Sequence, residues 1–248
     1  MNKSLTLIAT LSFSIATGCA ALAALVSDKP LAALARGCGA TPGAKDSACD
    51  RPVRTATSEP GKLALDWDGS GAVTVNIPAR VLYQPGPTAQ ASVSGDPELI
   101  AHVRMRQGSL DWDTPSWDRT VNCSAKEQLE IRLTGPAVTS WMMHGCGALE
   151  LTNLQQDSLR IAGSGSSSVT VTGTVQRVSL HAAGSVRADL SRLVAQHADT
   201  HIDGSAHVEL TPREDADISI AGSGLVQVHG TARIRSHVSG SGQIIQLP

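Results

Sequence analysis

From about Trp141 onward, apolar and polar residues alternate in short runs that return with a fixed beat. Leu159-Arg160-Ile161-Ala162 leads into Gly163-Ser164-Gly165, Asp217-Ile218-Ser219-Ile220-Ala221 into Gly222-Ser223-Gly224, and His237-Val238-Ser239 into Gly240-Ser241-Gly242. Weaker copies of the phrase end at Gly147, Gly184 and Gly204. With the last glycine of each copy as marker (Gly147, Gly165, Gly184, Gly204, Gly224 and Gly242), the spacings are 18, 19, 20, 20 and 18 residues. A steady period of this length is the signature of a solenoid, in which each repeat is one coil of a stack.

The columns of that repeat describe one coil. Four residues before the marker stand Met143, Ile161, Leu180, Thr200, Ile220 and Val238, and six before it stand Trp141, Leu159, Val178, Ala198, Ile218 and Ser236. The residues between them are mostly polar, and a period of two is a strand with one face buried. After the glycine, Leu149/Leu151, Val169/Val171, Ala188/Leu190, Val208/Leu210, Val226/Val228 and Ile244 continue the pattern. Each coil therefore carries at least two short strands around a corner. Glycine suits the corner because it adopts positive φ without a Cβ clash. Coils stacked ~4.8 Å apart hydrogen-bond each strand to its equivalents above and below, in parallel register.

Upstream, residues 62–134 predict a second β-rich region. Leu63 to Val75 already holds the coil phrase, and Leu99 to Met105 and Leu129 to Leu133 alternate well. A solenoid must cover its open ends, because bare strand edges pair with other chains. Residues 62–134 are expected to cap the N-terminal end, within one domain over 62–248. Residues 27–61 are rich in Pro, Gly, Ala and Ser and read as a linker.

Residues 1–26 carry Lys3 followed by an uncharged run from Leu5 to Val26. Such a segment reads as a signal peptide cleaved after small residues, or as a retained signal anchor, since ~20 apolar residues span a bilayer. Ala16-Thr17-Gly18-Cys19 also resembles a lipobox, although the apolar run continues past Cys19. Each reading puts the remaining chain outside the cytoplasm, in the periplasm or at the cell surface, and a retained membrane anchor is the expectation adopted.

Charge and composition narrow the function. The formal net charge is −2, which gives no basic footprint for nucleic acid. Aromatic residues are 2% of the chain and none follows Trp141, which suits a narrow interior of stacked Val, Ile and Leu. In an exported protein the set Cys38, Cys49, Cys123 and Cys146 suggests two disulfides, with nearest-neighbour pairing (Cys38–Cys49 and Cys123–Cys146) adopted among three connectivities. No Cys-x-x-Cys occurs, and nothing in the sequence demands a cofactor.

The Gly-Ser-Gly triplets at 163–165, 222–224 and 240–242, together with Gly95-Asp96-Pro97-Glu98-Leu99-Ile100 and Gly108-Ser109-Leu110, resemble the head-GIN domain family of autotransporter-type adhesins. The resemblance covers about residues 63–247. It implies an all-β, right-handed parallel β-helix at the cell envelope and supplies no catalytic residues. An autotransporter also needs a membrane barrel of many ~10-residue strands. None follows the last coil here, so self-export by that route is not expected.

Three constellations are candidates for chemistry. His144, His181 and His201 each stand three residues before a marker glycine, on the outward parity, with Asp199 and Asp203 nearby. His181 and His201 would stack in adjacent coils and could hold a transition metal, but aligned surface polar residues are the plainer reading and the one adopted. Five residues after the markers stand Thr170, Asp189, Glu209 and His229, with Arg187 and His207 two positions earlier. This resembles the mixed carboxylate and basic face of a polysaccharide lyase or hydrolase, yet ion pairing on a solvated face accounts for it. Finally, Asp111, Trp112, Asp113, Trp117 and Asp118 could stack on a sugar ring and hydrogen-bond its hydroxyls, against the alternative that the tryptophans pack the cap. The adopted reading is an exported, non-catalytic, adhesin-like solenoid that binds envelope polysaccharide or another envelope protein. A lyase or hydrolase on a parallel β-helix is the alternative.

Overall fold

A computed structural model of the chain describes residues 61–116, 123, 125 and 128–248. The N-terminal targeting segment, the linker before residue 61, Cys38, Cys49, Trp117 and Asp118 lie outside the described residues.

The elements run β1 (Gly61–Leu65), β2 (Ala72–Val75), β3 (Arg80–Pro85), β4 (Gln90–Gly95), α1 (Pro97–Ile100), β5 (Val103–Arg106), β6 (Ser109–Trp112) and β7 (Leu129–Gly135). They continue as β8 (Ser140–Gly184), β9 (Arg187–Gly204), β10 (His207–Gly222), β11 (Leu225–His229), β12 (Arg233–Gly240) and β13 (Gln243–Leu247). From β8 onward every pairing is parallel: β8 with β9, β9 with β10, β10 with β11 and β12, and β11 with β13. The chain is therefore a parallel β-solenoid, as its period requires.

The 62–134 region is partly cap and partly coil. β2 and β3 pair in parallel with β8, matching Val73 to Trp141 and Val81 to Leu149, so they form a coil of the stack. β6 and β7 lie in parallel on their other side, against β2 and β3 respectively. The β2–β3 coil is thus inserted between a later segment and β8. Among the described residues the antiparallel pairings are β1 with β4, β4 with β7 and β5 with β6, and these close the end of the stack. The Gly95–Ile100 segment forms the short α1, where the Asp96 side chain accepts from Glu98 N at 2.8 Å. α1 tucks Leu99 and Ile100 into the core.

Inside the coils the alternation holds as the period-two pattern demands. Ile161, Leu180, Ile202, Val208, Ile220 and Val226 are all at or below 1% exposed. Toward the capped end the interior holds the buried aromatic residues Trp67, Tyr83 and Trp141. Tyr83 packs 5.2 Å from Trp141 and edge-on to Trp67 at 6.5 Å. Its hydroxyl donates to Pro136 O at 2.8 Å and accepts from Val138 N at 3.3 Å. Cys123 and Cys146 are joined in a disulfide with a Cα–Cα separation of 5.3 Å, tying the β6–β7 connection to β8.

The corner lies at a different glycine from the expected one in half of the coils. Positive φ falls on Gly145, Gly165, Gly184, Gly204, Gly222 and Gly240. Gly147, Gly224 and Gly242 stand two residues past it, without positive φ. Backbone pairing decides this: Gly184 opposes Gly204, Gly204 opposes Gly222, and Gly222 opposes Gly240. The next residue locks each corner to the coil below, as Ser205 N donates to Gly184 O, Ser223 N to Gly204 O and Ser241 N to Gly222 O, all at 2.9 Å. From Gly165 onward the column leaves no room for a Cβ, and one built on Gly222 would lie 2.4 Å from Gly204 O. At the opposite corner, Pro212 falls within β10, where the register to β9 slips and no regular ladder is required of it.

Candidate functional site

The outward residues before the corner form one broad polar face across β8, β9, β10 and β12. Register fixes its columns. One reads Ser179, Asp199, Asp217, Arg235; the next reads His181, His201, Ser219, His237. His237 thus shares a column with His181 and His201. The expected third histidine, His144, does not, because its coil turns at Gly145. It stands instead beside Ser164, with Nδ1 3.0 Å from Ser164 Oγ.

Local chemistry on this face is dense. The His181 and His201 rings stack with centroids 5.1 Å apart and planes 6° from parallel. Asp203 Oδ2 lies 3.2 Å from His201 Nε2 and 3.9 Å from His181 Nε2. Three ligand atoms of this trio lie within 4.8 Å of one another, and the same holds for His197, Glu214 and Asp215. Arg235 grips Asp217 through Nε at 2.6 Å and Nη2 at 2.9 Å. That hydrogen bond and charge hold the Asp217 carboxyl below the ordinary carboxylate range, and they raise the Arg235 guanidinium further above its own.

After the corner, a second outward column reads Thr170, Asp189, Glu209, Gln227. Gln227 takes the place expected for His229, again because the preceding corner is Gly222. Asp189 accepts from Ser191 Oγ at 2.6 Å and from Ser191 N at 3.0 Å. These bonds, led by the hydroxyl, hold its carboxyl below the usual range. Glu209 lies between His207 Nε2 at 3.3 Å and His229 Nε2 at 3.9 Å. Both carboxylates are therefore occupied by neighbours. For Asp189 the lowered pKa is the opposite of the raised one a general acid needs near neutral pH.

The Asp111–Asp113 stretch lies at the capped end. Trp112 packs against the core and its backbone pairs with Val103 across β5 and β6. Asp111 accepts from Asn76 Nδ2 at 2.7 Å and Ser109 Oγ at 2.6 Å. Asp113 faces His102 Nδ1 at 3.0 Å and Arg104 Nη2 at 3.3 Å. An open groove of about 510 Å³ is lined by Asn76, Asp111, Trp112, Thr114, Pro115 and His144. Among the described residues its one aromatic wall, Trp112, is anchored in the cap, and its one carboxylate, Asp111, is turned toward protein donors.

The shifted columns had a signal in the sequence. The dipeptide Gly-Ser recurs at 165–166, 184–185, 204–205, 222–223 and 240–241 with its glycine at the corner, and Gly163-Ser164 is the exception. Choosing the last glycine of a Gly-Ser-Gly triplet obscures that.

A family model described as "Putative auto-transporter adhesin, head GIN domain" matches residues 71–232. Among solved structures, a "putative adhesin" from Bacteroides fragilis NCTC 9343 matches with 16% identity and a TM-score of 0.58, covering 77% of this chain and 98% of that one. A "putative lipid binding protein" from Parabacteroides distasonis ATCC 8503 matches with 17% identity and a TM-score of 0.41, over the same shares of the two chains. A "putative adhesin" from Parabacteroides merdae ATCC 43184 matches with 12% identity and a TM-score of 0.40, again over 77% and 98%. No curated protein matches the chain. The first of these likenesses bears out the fold.

Proposed function

We propose, from the premise that this chain belongs to the head GIN domain family, that it is a non-catalytic extracytoplasmic module of adhesin type. It holds an extended partner, envelope polysaccharide or another envelope protein, along its outer columns. The observation that carries this reading is the register of the face before the corner. Ser179, Asp199, Asp217 and Arg235 stand in line, one per coil, beside His181, His201, Ser219 and His237. Equivalent side chains recur at the strand spacing of ~4.8 Å. A rigid ladder of hydrogen-bonding groups suits a ligand that is itself repetitive, because each added coil contributes without further ordering cost.

The second face supports binding over turnover. Cleavage of a polysaccharide by general acid–base chemistry needs a carboxyl tuned upward in a water-restricted groove. Asp189 is tuned downward by Ser191. The uncharged run from Leu5 to Val26 supports export, with retention in the membrane as its consequence.

The test is retention of the full chain on an array of envelope polysaccharides and cell-wall fractions. Retention on at least one surface is expected, and Asp199→Lys should weaken it by reversing charge at an exposed rung. Retention that ignores Asp199→Lys, or none on any surface, would overturn the reading.

A further inference from the structure

We propose that His181, His201 and Asp203 form a binding site for a divalent transition-metal cation, independent of whatever the face holds. The donor set is two imidazole nitrogens and one carboxylate oxygen, the mixture that borderline cations such as Zn²⁺ and Cu²⁺ prefer over Mg²⁺ or Ca²⁺. Three features of the fold converge on it.

First, parallel register places His181 directly against His201, so two ligands come from adjacent coils without any loop to order. Second, His201 and Asp203 are two apart on one strand and so point to the same side. In its own column Asp203 stands between Ala183 and Ala221, which leave it room to lean diagonally toward the histidines. Third, the distances fit. A tetrahedral site with metal–ligand arms of ~2.0–2.1 Å has ligand atoms ~3.3 Å apart. His201 Nε2 and Asp203 Oδ2 are already 3.2 Å apart, and His181 Nε2 is 3.9 Å from the same oxygen. The two rings lie stacked 5.1 Å apart, so both must swing out of their stack to point their nitrogens at one ion.

Charge points the same way. Among the described residues, the ion-pair partners of Asp203 are the two histidines, whereas Asp217 in the neighbouring column is gripped by Arg235. No lysine or arginine pairs with the Asp203 carboxylate among the described residues, so its negative charge is open to a cation. All three side chains are close to half exposed, which leaves coordination positions open to water or to a donor from outside the chain.

The test uses the full chain, stripped with a chelator and then freed of it, titrated with Zn²⁺ alone and with Cu²⁺ alone by calorimetry. Electron paramagnetic resonance follows on the Cu²⁺ form. One saturable equivalent is expected, with a copper spectrum showing two equatorial nitrogens. His201→Ala and Asp203→Asn should weaken it by roughly tenfold or more, while His197→Ala leaves it unchanged. These outward residues can be replaced without disturbing the core, and the metal-free melting temperature of each variant checks that. Absence of a saturable equivalent, or binding lost in His197→Ala but kept in His201→Ala, would overturn the proposal.

Discussion

Gly222 and Gly224 are two residues apart and take opposite roles. Gly222 has φ 129° and lies against the Gly204 carbonyl, so a side chain there meets both torsional strain and backbone. Strain alone costs roughly 1–2 kcal/mol. A Cβ on Gly224 would meet methyl groups of Ile202 and Ile220 at 3.1–3.2 Å, and side chains give way more readily than backbone. Gly222→Ala should therefore lose clearly more stability in urea denaturation than Gly224→Ala. Thr200 is the reverse case, a hydroxyl buried at 2% exposure with no hydrogen-bond partner for its Oγ1. Thr200→Val keeps the shape and removes the unpaired group, so it should stabilise the fold by about 1 kcal/mol in the same assay. Asp189 gives a pH signature. Its folded pKa is depressed by Ser191, so its contribution is complete above the unfolded value of about 3.9 and is lost as pH falls through the folded value. Ser191→Ala should move the Asp189 carboxyl titration upward, as read by carbon-detected NMR.

Among the elements, a strand's place in the stack decides what its apolar residues are worth. Ile220 in β10 and Val238 in β12 occupy one column, yet Ile220 is fully buried and Val238 is 41% exposed. Ile220→Ala should cost about 2–5 kcal/mol, and Val238→Ala within about 0.5 kcal/mol, by denaturant titration. The Cys123–Cys146 bridge spans 23 residues of sequence. In the chain-entropy view its loss in Cys123→Ser/Cys146→Ser costs about 3 kcal/mol. Much of this was legible in the sequence. The inward columns hold because a marker misplaced by two residues preserves the period-two parity, so Leu180, Ile220 and Val208 point inward under either count. Lateral alignment has no such protection. Which residues stand side by side is settled by backbone pairing, and coils of 18 to 20 residues absorb their length differences on either side of the corner. That is why His237, not His144, joins His181 and His201, and why Gln227, not His229, follows Glu209. The insertion of the β2–β3 coil between β6–β7 and β8 was hidden for a related reason, since a repeat signals that coils stack but not in which order.

At the largest scale, the parallel coils of the described residues line up their outward side chains in columns. The outward carboxylates at Asp189, Glu209 and Asp217 are all partnered by neighbours. On the proposed reading, such a surface holds a partner along its length. The most direct measurement is a paired one on a panel of envelope polysaccharides, in which retention of the full chain is scored beside release of reducing sugars and unsaturated products. Retention without release is expected, unchanged in product yield by Asp189→Ala/Glu209→Ala. Product release that disappears in that double variant would contradict the proposed reading and make the protein a β-helix enzyme.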